Sequence, residues 1–168
     1  MVKRAAARAL VFNSKSEILL IKIKVPDTGW TGWITPGGGI DLIETPIDSL
    51  KRELWEELGI SEGFQMGTLV GKRRHHFRFF GREIDQTEFF YPVFLDPHSP
   101  PILKALNDIE DYEKQSFVEL RFWSFEALKQ TSELISPPTL VSFLEWLGAE
   151  KIDRQRLFEW VPNRSFLF

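Results

Sequence analysis

The chain contains no cysteine. That one absence excludes a disulfide framework, a thiolate zinc site and a cysteine nucleophile. Histidine is nearly as scarce, with three residues, His75, His76 and His98, too few for a histidine-rich metal centre. A metal held here is expected to be a hard cation on oxygen ligands. No apolar run approaches the roughly 20 residues that a membrane helix needs. There is also no surplus of positive charge. Lys plus Arg total 21 against 24 Asp plus Glu, a net charge of −3, unlike a duplex-binding protein. The start, Met1 to Arg8, is basic, but Arg8 and Asn13 break the apolar run too early for a secretory signal. These absences point to a soluble, cytoplasmic protein with neither nucleic acid nor membrane as partner.

What is present has a globular balance. The 168 residues are 43% hydrophobic, 14% aromatic and 27% charged, which suits a single domain over 1–168 with a sizeable core. Ala5–Phe12 and Glu17–Lys24 read as strands of a hairpin across Asn13–Ser16. Trp33–Thr35 is short and extended and runs into Pro36-Gly37-Gly38-Gly39, where the backbone must take shapes that a side chain forbids. Leu69–Phe80 and Glu83–Leu95 are two more strands, with Pro92 making the second an edge there or ending it early. Asn107–Glu113 is an acidic loop, Val118–Trp123 a strand, and Phe125–Gln130 and Thr139–Trp146 are helices. The aromatic tail Leu157–Phe168 either docks on the domain or contacts another chain, a homodimer being one such arrangement. The pattern is β-rich with a few helices, an α+β fold.

Thr45–Leu58 carries the clearest helix signals. Thr45 suits the N-cap, Pro46 the first helical position, Asp48 the capping-box distance, and Gly59 a left-handed stop. Ile47, Leu50, Leu54 and Leu58 form one apolar stripe. Beside it, Glu53, Glu56 and Glu57 share roughly a third of the circumference. Like charges at this spacing cost a few tenths of a kcal/mol per pair, and all three lie in the half of the helix where the macrodipole disfavours them. A bound divalent cation turns that repulsion into coordination, and a cysteine-free carboxylate set suits Mg²⁺ or Mn²⁺. The bland alternative is a solvated acidic face partnered by Lys51 and Arg52.

The flanking residues weigh against the bland alternative. Gly38 is followed after five residues by Glu44, and seven residues later by Arg52-Glu53-Leu54-Trp55-Glu56-Glu57-Leu58-Gly59-Ile60. This resembles the signature of the Nudix hydrolases at every defined position. A chance match arises on the order of once in 10⁹ windows at average residue usage. Ile43 stands where many members carry glycine. The resemblance implies a mixed sheet between helices, an α/β/α sandwich bearing a catalytic loop–helix–loop. It also implies hydrolysis of a nucleoside diphosphate linked to another group, with Mg²⁺ or Mn²⁺ as cofactor and water attacking phosphorus.

By position, the resemblance makes Glu53, Glu56 and Glu57 the metal ligands, with the Gly37 carbonyl completing the set. Glu53 or a loop carboxylate assists deprotonation of water. Arg52 pairs with a glutamate and holds its rotamer. Glu44 orients a ligand or a water, or simply sits well near a helix start. A further base beyond this segment is sought among Glu119, Glu113 and Glu88, with Glu119 favoured and Glu88 on a strand that faces the site. The basic run Lys72–Arg78, Arg74 within it, either meets a phosphate or alternates outward as solvated charge. Trp30 and Trp33 flank the site; one stacks on a base, or Trp33 is core. By elimination the substrate leans to a nucleoside or deoxynucleoside triphosphate, a small-molecule nucleotide. The competing functions are a nucleotide-sensing module without turnover and an interaction protein using the aromatic tail.

Overall fold

The computed structural model describes residues 1–79, 81–98, 100, 101, 103 and 116–148, and the backbone of 166 and 167. Their elements run β1 (Val2–Phe12), β2 (Ile18–Lys24), β3 (Thr31–Ile34), α1 (Pro46–Leu58), β4 (Phe64–Met66), β5 (Gly71–Phe79), β6 (Arg82–Leu95), β7 (Phe117–Trp123), α2 (Phe125–Gln130), β8 (Ile135–Ser136), α3 (Leu140–Trp146) and β9 (Phe166–Leu167). The strands form one mixed sheet in the order β8-β3-β2-β1-β6-β5-β9, with β4 also on β6 and β7 also on β2. The α+β expectation is met.

Alternation along β1 builds a core on each face of the sheet. Ala7, Ala9 and Val11 meet Leu50, Leu54 and Leu58 of α1 on one face. Leu10 and Phe12 meet Phe90, Phe94, Leu128 of α2, and Leu140, Phe143 and Leu144 of α3 on the other. The helix–sheet–helix layering follows from this. The three α1 leucines are fully buried, each stabilising the fold by about 1.5–3 kcal/mol relative to exposure. The caps of α1 form as the sequence implies. Thr45 Oγ1 accepts from Asp48 N at 3.2 Å. Gly59, at φ +68°, donates to the Trp55 carbonyl at 2.9 Å and thereby ends the helix.

Three local expectations need correction. The β1–β2 hairpin pairs only at its root, Val11↔Leu19 and Phe12↔Ile18. The rest of β1 runs parallel to β6, from Val2↔Ile84 to Phe12↔Phe94, and this pairing draws the polar residues before Ala5 into the strand. Pro92 neither ends β6 nor lies on an edge. The neighbours on one side change there: β5 stops at Gly71↔Phe90 and β4 begins at Met66↔Val93. Gly67 donates to the Pro92 carbonyl on that side at 2.8 Å, so the missing N–H faces the gap between two partners and no ladder bond is lost. The two short strands β4 and β8 were not anticipated. Of the aromatic tail, Phe166–Leu167 adds a parallel strand to β5; 157–165 and 168, like the acidic stretch 107–113, lie outside the described residues.

The topology that matters for function is at β2. One edge of β2 pairs with β7 along Ile18–Ile23. The other is shared, with β1 at Leu19 and β3 from Ile21 to Lys24. Beyond Ile34, the chain leaves β3 and runs antiparallel along the first half of β1. Ala9 N donates to Pro36 O at 2.8 Å, Ala7 N to Gly38 O at 3.0 Å, and Ile40 N to Ala5 O at 3.0 Å. The glycine segment therefore fills the place where β2 has diverged from β1, and a cleft opens beside it.

Candidate active site

The glycine segment is held between β1 and the carboxylates of α1. Gly37 has φ +117°, and a Cβ there would lie 2.2 Å from the Ala7 carbonyl oxygen, so only glycine fits. Its N–H donates to Glu57 Oε2 at 2.6 Å. At Gly38 the space a side chain needs is taken by the carboxylate of Glu53, which is itself buried. Two of the three helix carboxylates thus press on consecutive glycines.

Arg52 organises the outer side of this group. Its Nε and Nη2 grip Glu44 at 2.8 and 3.0 Å, and Nη2 also donates to the Gly39 carbonyl at 3.0 Å. Its Nη1 reaches Glu53 at 2.8 Å and Glu56 at 3.0 Å. The hydrogen bond from Arg52 holds the Glu44 carboxyl down at about 2, and Glu44 in return raises Arg52. Glu44 therefore anchors the arginine that holds the carboxylates of Glu53 and Glu56, and reaches back to accept from Asp41 N at 3.2 Å.

A second charged group enters from the sheet. Arg8 on β1 donates through Nε to Glu88 on β6 at 2.8 Å and through Nη1 to the Gly37 carbonyl. Glu88 Oε2 has His75 Nε2 at 3.4 Å and Arg73 Nη1 at 3.5 Å, both from β5. Gln86 donates to Glu88 Oε1 at 2.9 Å. Burial pushes the Glu88 carboxyl up, but Arg8, His75 and Arg73 outweigh it and hold it well below the usual carboxylate range. Burial likewise lowers Arg8, yet the negative charges of Glu88, Glu57 and Glu53 leave it raised. Arg73, with less compensation, is lowered by burial.

The glycine segment, Glu57 and the charged group from the sheet line one cleft of about 550 Å³. Gly37 to Gly39, Glu57, Arg8, Arg73 and Glu88 supply its polar surface, and Ile23, Trp30, Phe77, Phe79, Phe117 and Pro138 much of its apolar wall. Arg4 lies 5.9 Å over the Phe77 ring and adds a further cation. The cleft thus pairs charge fit for phosphates with aromatic surface fit for a base.

The residues singled out from sequence do not all meet here. Glu53, Glu56, Glu57, Arg52, Glu44 and Gly37 come together; of these Gly37 and Glu57 line the cleft, where Glu88 joins them, while Glu44, Arg52, Glu53 and Glu56 stand behind the glycine segment, outside the lining. Trp33 is fully buried in the core, edge-on to Trp123 at 5.1 Å, with Nε1 donating to Glu133 at 2.9 Å. Trp30, not Trp33, lines the cleft. The β5 run alternates: Arg73, His75 and Phe77 face the cleft, while Arg74 pairs with Asp85 at 2.6 Å beside a separate surface depression. Glu119 lies on β7, paired with Arg121 at 2.7 Å and absent from the cleft lining. Glu113 lies outside the described residues. Sequence reasoning passed over Arg8. Its spacing of four from Arg4 on a strand puts both on one face, but nothing local distinguishes it from a solvated charge.

The donor set suits a divalent cation by its chemistry: carboxylates and a backbone carbonyl, without sulfur. Gly38 gives independent support, because the loop leaves open for the Glu53 carboxylate a place that any Cβ would fill. Among the described residues no three acidic or histidine side chains converge closely enough to form a ready cage. Guanidinium groups hold the oxygens instead: Arg52 on Glu53 and Glu56, and Arg8 on the Gly37 carbonyl.

A mixed sheet between helices, with a glycine segment resting on helix carboxylates, defines a class, and the comparisons agree with it. The NUDIX domain family model matches residues 2–147. The chain belongs to that family. It is 40% identical over 57 residues to an RNA pyrophosphohydrolase of Psychrobacter arcticus, a match covering 34% of this chain and 31% of the relative. It is 36% identical over 70 residues to diphosphoinositol polyphosphate phosphohydrolase 2 of Rattus norvegicus, covering 41% of this chain and 36% of that one. The chain thus spans 31–36% of the length of these curated relatives. In fold it is similar to the MutT protein from Methanosarcina mazei, with a TM-score of 0.60 and 22% identity over 88% of this chain and 94% of that one. Among the described residues no helix is long and apolar enough to cross a membrane.

Proposed function

We propose that this protein is a metal-dependent pyrophosphohydrolase that cleaves a nucleoside diphosphate linked to another group. The preferred substrate is a nucleoside or deoxynucleoside triphosphate, converted with one water to the monophosphate and pyrophosphate. The observation that carries the reading is the meeting of the Glu53 and Glu57 carboxylates with Gly38 and Gly37, where the glycines and Glu57 line a cleft that also holds Arg8 and Arg73.

Glu53, Glu56, Glu57 and the Gly37 carbonyl would hold Mg²⁺ or Mn²⁺. Such an ion, when bound, neutralises phosphate charge and makes a bound water more acidic. The chain's own residues do the rest. Arg8 and Arg73 bind phosphate oxygens and neutralise charge as the anhydride P–O bond breaks. Glu53 takes the proton that the attacking water loses. Arg52, fixed by Glu44, sets the rotamers of Glu53 and Glu56. Trp30 and Phe77 stack on the base and keep water from that end. Glu88 keeps Arg8 and Arg73 in the cleft rather than in solvent. This wall is largely apolar, which favours a flat base over an inositol ring charged on every side.

Incubation with Mg²⁺ and a panel of nucleoside triphosphates, dinucleoside polyphosphates and diphosphoinositol polyphosphates, with products separated by ion exchange, tests the reading. Monophosphate plus pyrophosphate from a triphosphate is expected. Saturable binding of nucleotides without turnover across the panel would instead identify a sensing module.

A further inference from the structure

The carbonyl assigned to the cation is already occupied by a cation of the chain. Arg8 Nη1 donates to Gly37 O and approaches Thr35 O at 3.5 Å, while its Nε is tied to Glu88 at 2.8 Å. The side chain is only 12% exposed. Its charge is felt by Glu57 and Glu53, two of the three carboxylates proposed as ligands. The Gly37 oxygen has two lone pairs, but a guanidinium and a divalent ion brought together on it repel one another at close range.

The geometry points to Arg8 as a built-in counter-ion that competes with the divalent cation for the Gly37 carbonyl and is released toward the substrate when the metal binds. The inference rests on the metal site proposed above. Without metal, Arg8 neutralises the carboxylate group and keeps the glycine segment closed on β1. Metal loading displaces Nη1 from the carbonyl, while Glu88 retains Nε at the same place in the cleft. The freed donors then face the phosphate chain. One exchange thereby couples metal loading to phosphate binding, and the coupling is reciprocal.

Arg73 is the matched control. It lies in the same cleft with the same charge, but its neighbours are His75, Ser136 and Glu88, not Gly37. The test titrates Mn²⁺ alone into the full chain, with free Mn²⁺ read from its electron paramagnetic resonance signal. Wild type, Arg8→Met, Arg73→Met and Glu57→Gln are compared. Arg8→Met is expected to bind Mn²⁺ about tenfold more tightly than Arg73→Met, the scale of one hydrogen bond to a charged donor. Should Arg8→Met fail to fold, Arg8→Gln serves, since its neutral amide leaves no cation to oppose the ion at the Gly37 carbonyl; its affinity should also exceed that of Arg73→Met. Equal affinities in the Arg8 and Arg73 variants would reduce the effect to net charge and overturn the inference. If Glu57→Gln meanwhile binds more weakly than wild type, the metal site itself survives that failure. If Glu57→Gln binds as well as wild type, the site reading and the inference fall together.

Discussion

The carboxylate of Glu53 and the α-carbon of Gly38 fit so closely that a Cβ on residue 38 would lie 2.4 Å from Oε1. No carboxylate tolerates such an approach, so a side chain at 38 expels Glu53 from the loop. Gly38→Ala is expected to lower kcat about 100-fold, the scale of a misplacement near 1 Å at a reacting centre. Gly39→Ala is the control, since its Cβ meets nothing within 4 Å. Steady-state kinetics on the two variants checks this; equal activities would remove Glu53 from the account.

Arg52 joins Glu44, Glu53, Glu56 and the Gly39 carbonyl in one node. Arg52→Gln leaves those carboxylates without their common partner. Activity or metal affinity should fall about 10–100-fold, as when a residue that orients ligands is lost. Arg52→Lys should recover little, because an ammonium lacks the fork that reaches several acceptors at once. Full recovery by lysine would reduce the node to simple charge balance.

Much of this site was legible in the sequence, and the reason is local. Gly38, Glu44, Arg52, Glu53, Glu56, Glu57 and Gly59 lie in one stretch whose caps and apolar stripe fix a helix by themselves. Arg8 and Glu88 were not legible as a pair. They stand 80 positions apart and meet only because β1 pairs in parallel with β6, a register that no local pattern encodes. The buried place of Trp33 is the core alternative that the sequence already offered for it; that Trp30 is the ring in the cleft was not legible, since it depends on the sharing of β2 between β1 and β3. β4 and β8, at three and two residues, are too short for any periodicity to register.

The two tryptophans should separate stability from binding. Trp33→Ala removes a ring packed on Trp123 and should cost about 3–5 kcal/mol in denaturant unfolding. Trp30→Ala should leave stability within about 0.5 kcal/mol and raise KM for a nucleotide about tenfold through lost stacking. An unchanged KM would place the base elsewhere.

Acid should destabilise the fold in a defined window. Arg74 holds Asp85 down at about 2, from an ordinary 3.8; Arg52 holds Glu44 at about 2, from 4.5; Glu88 is lowered further. Below about pH 4.5 the unfolded chain takes up protons that the folded chain refuses, so stability falls as pH falls toward 2. Above about pH 5 this contribution is fully present. Urea midpoints should therefore decline between about pH 5 and pH 3, and less steeply in Glu88→Gln. A midpoint that does not move over that range would show that these carboxylates titrate alike in both states.

The most direct measurement compares Mg²⁺-dependent turnover of a nucleoside triphosphate by wild type, Glu56→Gln and Glu57→Gln, with fold monitored by circular dichroism. The account predicts monophosphate and pyrophosphate from wild type and at least a ~100-fold loss of kcat in each folded variant. Near-normal kcat in both variants would contradict it.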